Sequence, residues 1–492
     1  MTLVVSSLVE GSIAGVSDSS KLAFRLGADI VECRLDHIPD LDRDLVAETR
    51  KAVLGPAIAT LRSKAEGGLS RFGGAKREEL LRAALESDFE YVDFEFGTDQ
   101  AMLKRLDRSE YISHVIVSSH FSKPVKKEAV SRRLKEASEL GDVAKVAMPC
   151  EHAADALMLA EVGMTFSRRK RKFVIIGMGQ QGQLTRVFAS RIGSFMAYAC
   201  LPGRPAAPGQ LDVAKQSALV KCRSTVLGLI GHPVSHSVSK PMQEAALERA
   251  GLTGAYLPLD FMPGTLTRKA LLTARRLGLK GLNVTIPYKG KAFEICDRRQ
   301  EYARATGAVN TISYRGSCII GENTDVRGFA GLIEGKITIT RDTKALIVGA
   351  GGAARAVAYV LSQRGARLTI TDIERKRAER LAAEFGGMAI PLKKLWKSAE
   401  AFKIIVNCTP VGMKGVPGNP IKRELFKPGT VYFDIVYNPL ATEAMSVAMG
   451  MDIKAYGGLE MLVQQGAESF RIWTGLEPDV EAMREAARRA LT

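Results

Sequence analysis

The chain has 492 residues, which is too long for one ordinary hydrophobic core, so two or three domains are expected. Its 46% hydrophobic and 25% charged residues are typical of soluble enzymes, and no stretch approaches the roughly 18 apolar residues of a membrane helix. The net charge of +17 fits anionic small substrates, and a nucleic-acid partner is not expected because the densest basic run, 168–172, has no aromatic platform nearby.

Short apolar runs recur every 20 to 30 residues through the first 215 positions, with amphipathic stretches between them. Eight such strand-then-helix units predict a (β/α)8 TIM barrel. The predicted strands are Leu3–Leu8, Asp29–Leu35, Ala57–Arg62, Tyr91–Phe96, Val115–Ser119, Val143–Met148, Phe173–Met178 and Phe195–Leu201.

A barrel of this kind places its chemistry at the carboxyl ends of its strands. Polar side chains are unusually frequent at these predicted ends, namely Glu32, Arg34, Arg62, Asp93, Glu95, His120, Lys145 and Arg186. Lys145 lies inside a predicted strand, where an amine is costly to bury unless its charge is paired or its pKa is lowered. Because His120 ends the preceding strand, the two side chains should converge, as Schiff-base chemistry requires.

Two glycine turns fit the G-x-G-x-x-G/A pattern of dinucleotide sites, and the first is 174–182. A dinucleotide site also needs an acid at the end of a second strand about 20 residues on. The matching window after the first turn, 197–202, has none. A loop rich in glycine and proline follows at 202–210, and we interpret it as a lid.

Six motifs in this region resemble type I 3-dehydroquinate dehydratase in order and spacing, over roughly residues 1 to 217. They lie at 28–36, 59–68, 91–95, 118–120, 144–147 and 207–210. The resemblance implies that Lys145 forms an imine with the substrate ketone and that His120 is the general acid/base. It also implies that the substrate's hydroxyls and carboxylate are held by Glu32, Arg34, Arg62, Arg186 and Gln210.

The first glycine turn then reads as a carboxylate site, since Arg186 lies four residues beyond Gly182 and backbone N–H groups begin a helix there. Three positions depart from the family pattern. Ser119 and Phe121 flank the histidine where other residues are common, and Ala206 stands where the lid usually carries serine.

The pattern restarts after a boundary near 218–223. Strands and helices alternate over 224–330, which we expect to be a catalytic domain that binds the substrate. The second glycine turn, 346–354, is followed by a strand pattern that ends at Asp372, as a dinucleotide site requires. It opens a predicted Rossmann domain over 331–492, whose final helix returns to the substrate domain.

Within 224–330, Lys289 follows a predicted strand and Asp325 supplies an acid, and such a pair can deliver a proton while hydride reaches a carbonyl. Seven motifs over 224–492 resemble shikimate dehydrogenase, at 231–239, 283–289, 307–311, 323–325, 407–413, 434–439 and 458–465. The resemblance implies that Lys289 and Asp325 are the catalytic pair.

By the same resemblance, Ser237 and Ser239 bind the substrate carboxylate, and the ring hydroxyls are held by Asn283, Thr285, Asn310 and Gln465. The pyrophosphate would lie on Gly349, Gly351, Gly352 and Ala353, and the nicotinamide pocket would be lined by Thr409 and Met413. Lys240, Gln243 and Glu244 stand where Pro, His and Asn are common, which casts doubt on the helix start after Ser239.

The cofactor is expected to be NAD or NADP, with NAD favoured. NADP-dependent members usually have Asn-Arg-Thr where this chain has Asp372 and Ile373, and a carboxylate there would repel a 2′-phosphate and accept from ribose hydroxyls. Arg375 and Lys376 lie close enough in sequence to hold a phosphate instead.

The favoured function is therefore a bifunctional enzyme that dehydrates 3-dehydroquinate and then reduces 3-dehydroshikimate to shikimate. One alternative is a catabolic quinate/shikimate dehydrogenase fused to the dehydratase, and another is an inactive regulator that senses these ligands. Seven scattered cysteines without a C-x-x-C pair, and a start without a basic signal region, predict a cytoplasmic protein without disulfides or a metal site. The expected partners are small-molecule substrates, with a homodimer as the candidate assembly, and no membrane partner is expected.

Overall fold

The computed structural model describes residues 1–235, 237–396 and 400–492. The chain divides into two units, the first comprising 1–225, 257–265 and 269–279, and the second 226–256, 266–268 and 280–492. Both contain α-helices and β-strands, so the predicted α/β class is confirmed. In the part of the chain that the structure describes, no helix is long and apolar enough to span a bilayer.

The first unit contains an eight-stranded parallel sheet. Its strands are β1 (Leu3–Leu8), β2 (Ile30–Arg34), β3 (Ala57–Thr60), β4 (Tyr91–Glu95), β5 (His114–His120), β6 (Val143–Pro149), β7 (Lys172–Met178) and β8 (Met196–Cys200). They pair in the order β7-β6-β5-β4-β3-β2-β1-β8. The Phe195 N–H donates to the Phe173 carbonyl at 2.6 Å between the two end strands, so the sheet curls into a nearly closed barrel as predicted.

Helices follow these strands as the amphipathic patterns predicted. They are α1 (Ile13–Arg25), α2 (Arg43–Ala52), α3 (Gly74–Glu86), α4 (Gln100–Arg105), α5 (Lys127–Leu140), α6 (Ala153–Phe166), α7 (Gly179–Val187), α8 (Ala189–Ile192) and α9 (Val213–Lys221). Side chains cap several of them; the Asp42 carboxylate, for example, accepts from the Leu45 N–H at 2.8 Å.

Inward-facing apolar side chains fill the barrel, among them Val5, Ile58, Ile116, Val143 and Val174. Because the strands are covered on both faces, they are nearly continuous apolar runs, and the polar residues that interrupt them face the site at the strand ends.

A mixed sheet follows. Its elements are β9 (Thr225–Gly231), α10 (Ser239–Arg249), β10 (Gly254–Asp260), α11 (Arg268–Leu277), β11 (Leu279–Val284), α12 (Lys289–Ile295), β12 (Arg298–Arg299), α13 (Glu301–Thr306), β13 (Thr311–Arg315), β14 (Cys318–Glu322) and α14 (Asp325–Ile333). The strand order is β10-β9-β11-β13-β14-β12, with β13 antiparallel to β11 and β14.

The rest of the chain forms a third, parallel sheet with the order β17-β16-β15-β18-β19-β20. Its elements are β15 (Lys344–Val348), α15 (Gly352–Gln363), β16 (Arg367–Thr371), α16 (Arg375–Phe385), β17 (Met388–Ala389), α17 (Leu392–Leu395), β18 (Ile404–Asn407), β19 (Val431–Asp434), α18 (Glu443–Met449), β20 (Lys454–Tyr456), α19 (Leu459–Thr474) and α20 (Val480–Arg489). This is the doubly wound arrangement expected of a Rossmann domain, with ligands at the carboxyl ends of the strands.

Helices α19 and α20 pack against the mixed sheet, and Met461 of α19 also joins the buried core of the Rossmann sheet. Phe470 and Met483 share a buried core with Leu227 and Met242, and the Trp473 indole N–H donates to the Ile312 carbonyl at 2.9 Å. Within the second unit, residues of α19 such as Gln465 are thereby brought beside the carboxyl end of β11 and the amino end of β13.

Candidate active sites

Lys145 lies in the middle of β6 and is buried, with 3% of its surface exposed. Its Nζ is 3.0 Å from Asp93 Oδ2 and 3.4 Å from Glu32 Oε1, and 4.1 Å from the centre of the Tyr198 ring. Burial lowers the pKa of this amine, but Asp93, Tyr198 and Glu32 outweigh it and hold the pKa above its usual value. Of the two ways to bury a lysine, this structure uses charge pairing.

His120 ends β5 and has a partner that the sequence analysis missed. Its Nδ1 lies 2.7 Å from Glu66 Oε2, and Glu66 belongs to a short 3-10 turn, Lys64–Glu66, after β3. Burial, and then the charges of Arg62 and Lys145, hold the pKa of His120 well below its usual value. The imidazole is therefore neutral near pH 7 and is available as a base.

Burial also raises the pKa of Glu66, to about 7, with Glu95 and Asp93 acting in the same direction against Arg62. A carboxyl that titrates near neutrality beside a neutral imidazole forms a coupled acid/base pair. Glu66 lies four residues after Arg62 and pairs with it at 3.3 Å, but no pattern in the sequence predicts the short turn that returns it to the site.

Arg62 is the central cation of the barrel mouth. Its guanidinium donates to Asp93 at 3.1 Å, to Glu95 at 3.2 Å and to the Ser118 hydroxyl at 2.9 Å. Arg34 is held differently, by two hydrogen bonds to Asp36 at 2.8 and 2.7 Å. Bidentate pairing of this kind fixes the guanidinium plane, and the structure thus presents both arginines in set orientations.

Arg186, on α7, is buried and lacks a carboxylate partner among the described residues. Its Nη1 donates to the Tyr198 carbonyl at 2.8 Å, and its Nε has no hydrogen-bond partner in the described part of the chain. Burial lowers the pKa of Arg186 to about 10. A buried guanidinium with an unused donor is the expected site for a substrate carboxylate.

The first glycine turn serves packing as well as binding. A Cβ on Gly182 would lie 2.3 Å from the Gly177 carbonyl carbon, so the strand end and the helix start touch. The Gly179 N–H donates to the Pro208 carbonyl at 3.0 Å, and a Cβ on Gly209 would lie 2.2 Å from the Gly179 oxygen. The expectation that N–H groups at this helix start face an anion is therefore wrong for Gly179, whose N–H holds the predicted lid.

The Gln210 side chain hydrogen-bonds to the backbone of the predicted lid. Its Oε1 accepts from the N–H groups of Ala206 and Ala207 at 2.7 and 3.1 Å, and its Nε2 donates to Ser7 Oγ at 3.3 Å. Ser7 in turn donates to Glu32 at 2.7 Å. One cavity brings together the seven barrel residues to which the family resemblance assigned a role, which are Glu32, Arg34, Arg62, His120, Lys145, Arg186 and Gln210.

In the second unit, Lys289 begins α12 and Asp325 begins α14, and Lys289 Nζ donates to Asp325 Oδ2. The other carboxylate oxygen accepts from Asn310 Nδ2 at 2.8 Å, and the Asp325 N–H donates to Asn323 at 3.1 Å. The predicted lysine and aspartate are thus in contact, and their backing hydrogen bonds fix the carboxylate.

Three of the four predicted ring-binding residues, Asn283, Asn310 and Gln465, meet in a buried polar network. Asn310 Nδ2 lies 3.4 Å from Gln465 Oε1, and Asn283 Nδ2 donates to Ser469 at 3.0 Å. Thr285 is half-buried at the end of the same strand as Asn283. The sequence analysis missed Tyr256, Thr311, Thr324 and Ser469, which complete this network.

Ser237 and Ser239 lie together, with their hydroxyls 3.0 Å apart. Helix α10 begins at Ser239, so the doubt about this helix start was wrong. Gln243 and Glu244 find other partners, since Gln243 donates to the Gly466 carbonyl at 2.9 Å and Glu244 accepts from the Tyr256 N–H at 3.3 Å. Burial raises the pKa of Tyr256 and of Tyr437, which hydrogen-bond to Ser239 and Ser237 respectively.

The second glycine turn fits a dinucleotide. Gly349 has φ +103°, which favours glycine, and Gly351 precedes α15 with no atom of the described residues within 4 Å of a Cβ built on it. The glycine therefore leaves room for a ligand to approach the backbone. Gly352 lies against the Lys289 side chain, and Ala353 follows in the first turn of α15. Thr409 and Met413 follow β18, with Met413 exposed.

Asp372 follows β16 and already has two backbone partners. Its Oδ2 accepts from the Ala350 N–H at 2.7 Å, and its Oδ1 accepts from the Glu374 N–H at 2.8 Å. Ile373 is 92% exposed. Arg375 is paired with Glu379 at 2.6 Å, and Arg377 is paired with Glu374 at 2.9 Å. Within the described ranges, no group of three or more His, Cys, Asp or Glu side chains is placed to hold a metal ion.

Four family models match the chain in sequence order. They are type I 3-dehydroquinase over 5–225, the shikimate dehydrogenase substrate-binding domain over 229–312, shikimate/quinate 5-dehydrogenase over 332–437 and the shikimate 5′-dehydrogenase C-terminal domain over 458–488.

Similar proteins cover one half or both. The bifunctional 3-dehydroquinate dehydratase/shikimate dehydrogenase of Arabidopsis thaliana chloroplasts is 30% identical over 96% of this chain and 82% of its own. The structure of Thermus thermophilus shikimate 5-dehydrogenase with NADP(H) and shikimate is 39% identical, with a TM-score of 0.50, over 54% of this chain and 100% of its own. Quinate dehydrogenase of Corynebacterium glutamicum with NAD is 33% identical, with a TM-score of 0.51, over 54% and 99%.

Proposed function

The chain belongs to the family of bifunctional 3-dehydroquinate dehydratase/shikimate dehydrogenases, and on that premise we propose which of its residues carry each reaction. It is a lyase and an oxidoreductase of the shikimate pathway. We assign the dehydratase to 1–217, substrate binding for the dehydrogenase to 224–330 and the dinucleotide to 331–492, a division that the family matches support.

In the barrel, Lys145 is the nucleophile. Its nitrogen attacks the ketone carbon of 3-dehydroquinate, the oxygen leaves as water, and a protonated imine forms. His120 removes the proton beside the imine carbon and returns it to the hydroxyl that departs from the next carbon, so a second water is lost. Hydrolysis of the imine by water then releases 3-dehydroshikimate. The neutral state of His120 and its contact with Glu66 support this assignment.

The first step requires that Lys145 lose a proton, because it is held as an ammonium between Asp93 and Glu32. A substrate that draws the hydrogen bonds of Glu32 to its own hydroxyls would weaken that hold. Arg186, with its unused Nε, and Arg34 and Gln210 hold the carboxylate and the other hydroxyls. Arg62, which lines the same cavity, also contacts the substrate and keeps Asp93 in place.

In the second half, Lys289 donates the proton and Asp325 orients it. When bound, the reduced nicotinamide supplies the hydride to the carbonyl carbon of 3-dehydroshikimate. The Lys289 ammonium gives a proton to the carbonyl oxygen, which becomes the hydroxyl of shikimate. Asn283, Thr285, Asn310 and Gln465 hold the ring hydroxyls, and Ser237 and Ser239 hold the carboxylate. A Cβ built on Gly352 would lie 3.0 Å from Lys289 Cδ, so the glycine loop lies beside the proposed proton donor. This proximity of the dinucleotide site to the substrate site carries the proposal.

The second half uses a nicotinamide dinucleotide, and we propose that it prefers NAD. Thermus thermophilus shikimate 5-dehydrogenase was solved with NADP(H), so the preference for NAD rests on residues of this chain. The Asp372 carboxylate keeps free acceptor sites beyond its two backbone bonds, and an exposed isoleucine follows it instead of a cation. To hold a 2′-phosphate, Arg375 would have to leave Glu379.

The test compares kcat/KM for NADH and NADPH in the reduction of 3-dehydroshikimate. We expect NADH to be favoured by about tenfold or more, because a carboxylate facing a phosphate costs roughly as much as a lost charge pair. Asp372→Asn should bring the ratio of kcat/KM for NADH to that for NADPH closer to one, while Arg375→Ala should leave this ratio unchanged. A higher kcat/KM with NADPH in the wild type would overturn the preference.

Oxidation of quinate or shikimate is a second candidate direction for the same site. It is supported by Asp372 together with the likeness to the NAD-bound quinate dehydrogenase of Corynebacterium glutamicum. Comparing kcat/KM for quinate and for 3-dehydroshikimate at one pH would decide between the two directions. A cytoplasmic location is supported by the seven free cysteines, and the homodimer stays a prediction.

A further inference from the structure

Arg355 lies on α15, just beyond the glycine loop that we assign to the dinucleotide. Its guanidinium nevertheless contacts the end of α13, which belongs to the region of the mixed sheet. Its Nε donates to the Thr306 carbonyl, and its Nη2 pairs with Glu384 on α16. Gly307, with φ +59°, makes room for it, since a Cβ there would lie 2.8 Å from Nη2. The guanidinium thereby satisfies a carbonyl at the C-terminal end of α13.

Thr306 is connected to both members of the proposed catalytic pair. Its hydroxyl accepts from Asn323 Nδ2 at 2.8 Å, and Asn323 Oδ1 accepts from the Asp325 N–H at 3.1 Å. The chain from Gly307 leads to Val309, whose N–H donates to the Lys289 carbonyl at 3.0 Å, and then to Asn310, which donates to Asp325. A displacement of Thr306 would therefore shift the positions of Lys289 and Asp325 through these hydrogen bonds.

We infer that Arg355 is a positioning residue that sets the Lys289–Asp325 pair relative to the bound dinucleotide. Helix α15 carries the glycine loop at its start and Arg355 in its next turn, so one rigid helix holds the cofactor and, through Thr306, the groups that move the proton. Hydride and proton transfer need both sets in register, and a misplacement of about 1 Å can cost about 100-fold in rate. This inference rests on the proposed roles of Lys289, Asp325 and the glycine loop.

The test uses the full chain and follows shikimate oxidation by the absorbance of the reduced dinucleotide. Arg355→Met should lower kcat by about 10- to 100-fold while the KM for shikimate stays within about threefold. The kinetic isotope effect, measured with deuterium on the carbon that loses hydride, should rise because hydride transfer becomes slower than product release. Arg355→Lys, which keeps one donor for Thr306, should fall between wild type and Arg355→Met.

Glu384→Gln is the matched control, since it removes the negative charge of the other partner of Arg355 and leaves the Thr306 contact. It should stay within about twofold of wild type, and the dehydratase activity of every variant should be unchanged. The inference is overturned if Arg355→Met keeps its kcat, if its loss lies only in the KM for the dinucleotide, or if Glu384→Gln loses as much. A merely structural role would lower the Tm without raising the isotope effect.

Two further outcomes separate this inference from the proposed function. If Lys289→Met kept full activity in the same assay, the proposed catalytic pair would be wrong and the positioning role would fall with it. If Lys289→Met were inactive and Arg355→Met unaffected, only the positioning role would be wrong. If Arg355→Met did not fold, Arg355→Lys would decide, because a lowered kcat at unchanged KM supports the inference and a wild-type kcat overturns it.

Discussion

Lys145 in the barrel and Lys289 in the second unit are both paired with an aspartate, but their surroundings differ. Lys145 is 3% exposed, with two carboxylates and an aromatic ring around its ammonium, whereas the Lys289 side chain is 15% exposed and contacts Asp325. A nucleophile has to lose its proton before it reacts, while a general acid works by keeping one until hydride arrives. A lysine–aspartate contact alone therefore does not define the chemistry.

The largest expected effect separates charge from nucleophilicity at Lys145. Lys145→Arg keeps a cation between Asp93 and Glu32, but a guanidinium does not deprotonate and cannot form an imine. We expect dehydratase activity to fall by at least about 10⁴-fold while the reduction of added 3-dehydroshikimate is unchanged. Both rates can be measured on one preparation.

Borohydride provides the direct measurement of the imine. In the presence of 3-dehydroquinate it should add a covalent mass to the wild type, and to neither Lys145→Arg nor Lys145→Ala. Labelling of all three proteins would show that another amine reacts, and Lys145 would lose its assigned role.

The second prediction makes the corresponding change at Lys289. Lys289→Met should slow shikimate formation by about 10²- to 10⁴-fold, the usual contribution of a general acid, so that 3-dehydroquinate is converted only as far as 3-dehydroshikimate. Lys291 is the matched control, because it lies on the same helix in an exposed pair with Glu294 at 2.9 Å. Full cofactor consumption by Lys289→Met, or an equal loss in Lys291→Met, would contradict the assignment.

The third prediction concerns Glu66, which contacts the proposed general base His120 in the barrel. In the second unit Asp325 contacts the catalytic lysine directly, and no residue corresponding to Glu66 is proposed there. An ionised Glu66 stabilises the cation that forms when His120 takes a proton, and its pKa is raised to about 7. Dehydratase kcat/KM should therefore fall as the pH drops below about 7. Glu66→Gln should lack this limb and be about tenfold slower at pH 8. An unchanged acid limb in the variant would assign that titration to another group.

The same group links stability to pH with a definite sign. Between its usual pKa of 4.5 and about 7, Glu66 keeps its proton in the folded state and loses it in the unfolded state. Its contribution to the free energy of unfolding therefore decreases as the pH rises through this window. Denaturant unfolding at pH 5 and pH 8 should show that the free energy of unfolding of the wild type falls relative to that of Glu66→Gln as the pH rises.

The sequence predicted well which barrel residues converge, because parallel strands bring their carboxyl ends to one edge of the sheet. His120 and Arg62 follow from that rule, Lys145 was identified as a lysine inside a strand, and the contact of Lys289 with Asp325 was predicted from the motifs. Glu66 and Ser469 did not follow, since a short turn returns the first to the site and helix α19, distant in sequence, supplies the second. Such contacts depend on loop paths and helix packing that no local periodicity encodes.

The glycine turns show the same contrast between likeness and use. The G-x-G-x-x-G/A pattern that they share indicates only a tight turn from a strand into a helix. In the first turn Gly177 and Gly182 touch each other and Gly179 holds the lid, whereas in the second turn Gly351 touches nothing within 4 Å of its Cβ position. One glycine is therefore required by the protein itself, and the other by what the protein binds.

The smallest expected effects test this distinction. Gly182→Ala should lower the free energy of unfolding by about 1–3 kcal/mol, because its Cβ would overlap the Gly177 backbone. Gly351 has φ −83° and ψ −172°, which alanine adopts, so Gly351→Ala should change stability by less than about 0.5 kcal/mol. Its KM for the dinucleotide should nevertheless rise by about tenfold, because the methyl group occupies the space left for the pyrophosphate. An unchanged KM would mean that the cofactor approaches the loop elsewhere, since no contact with the described residues explains that glycine.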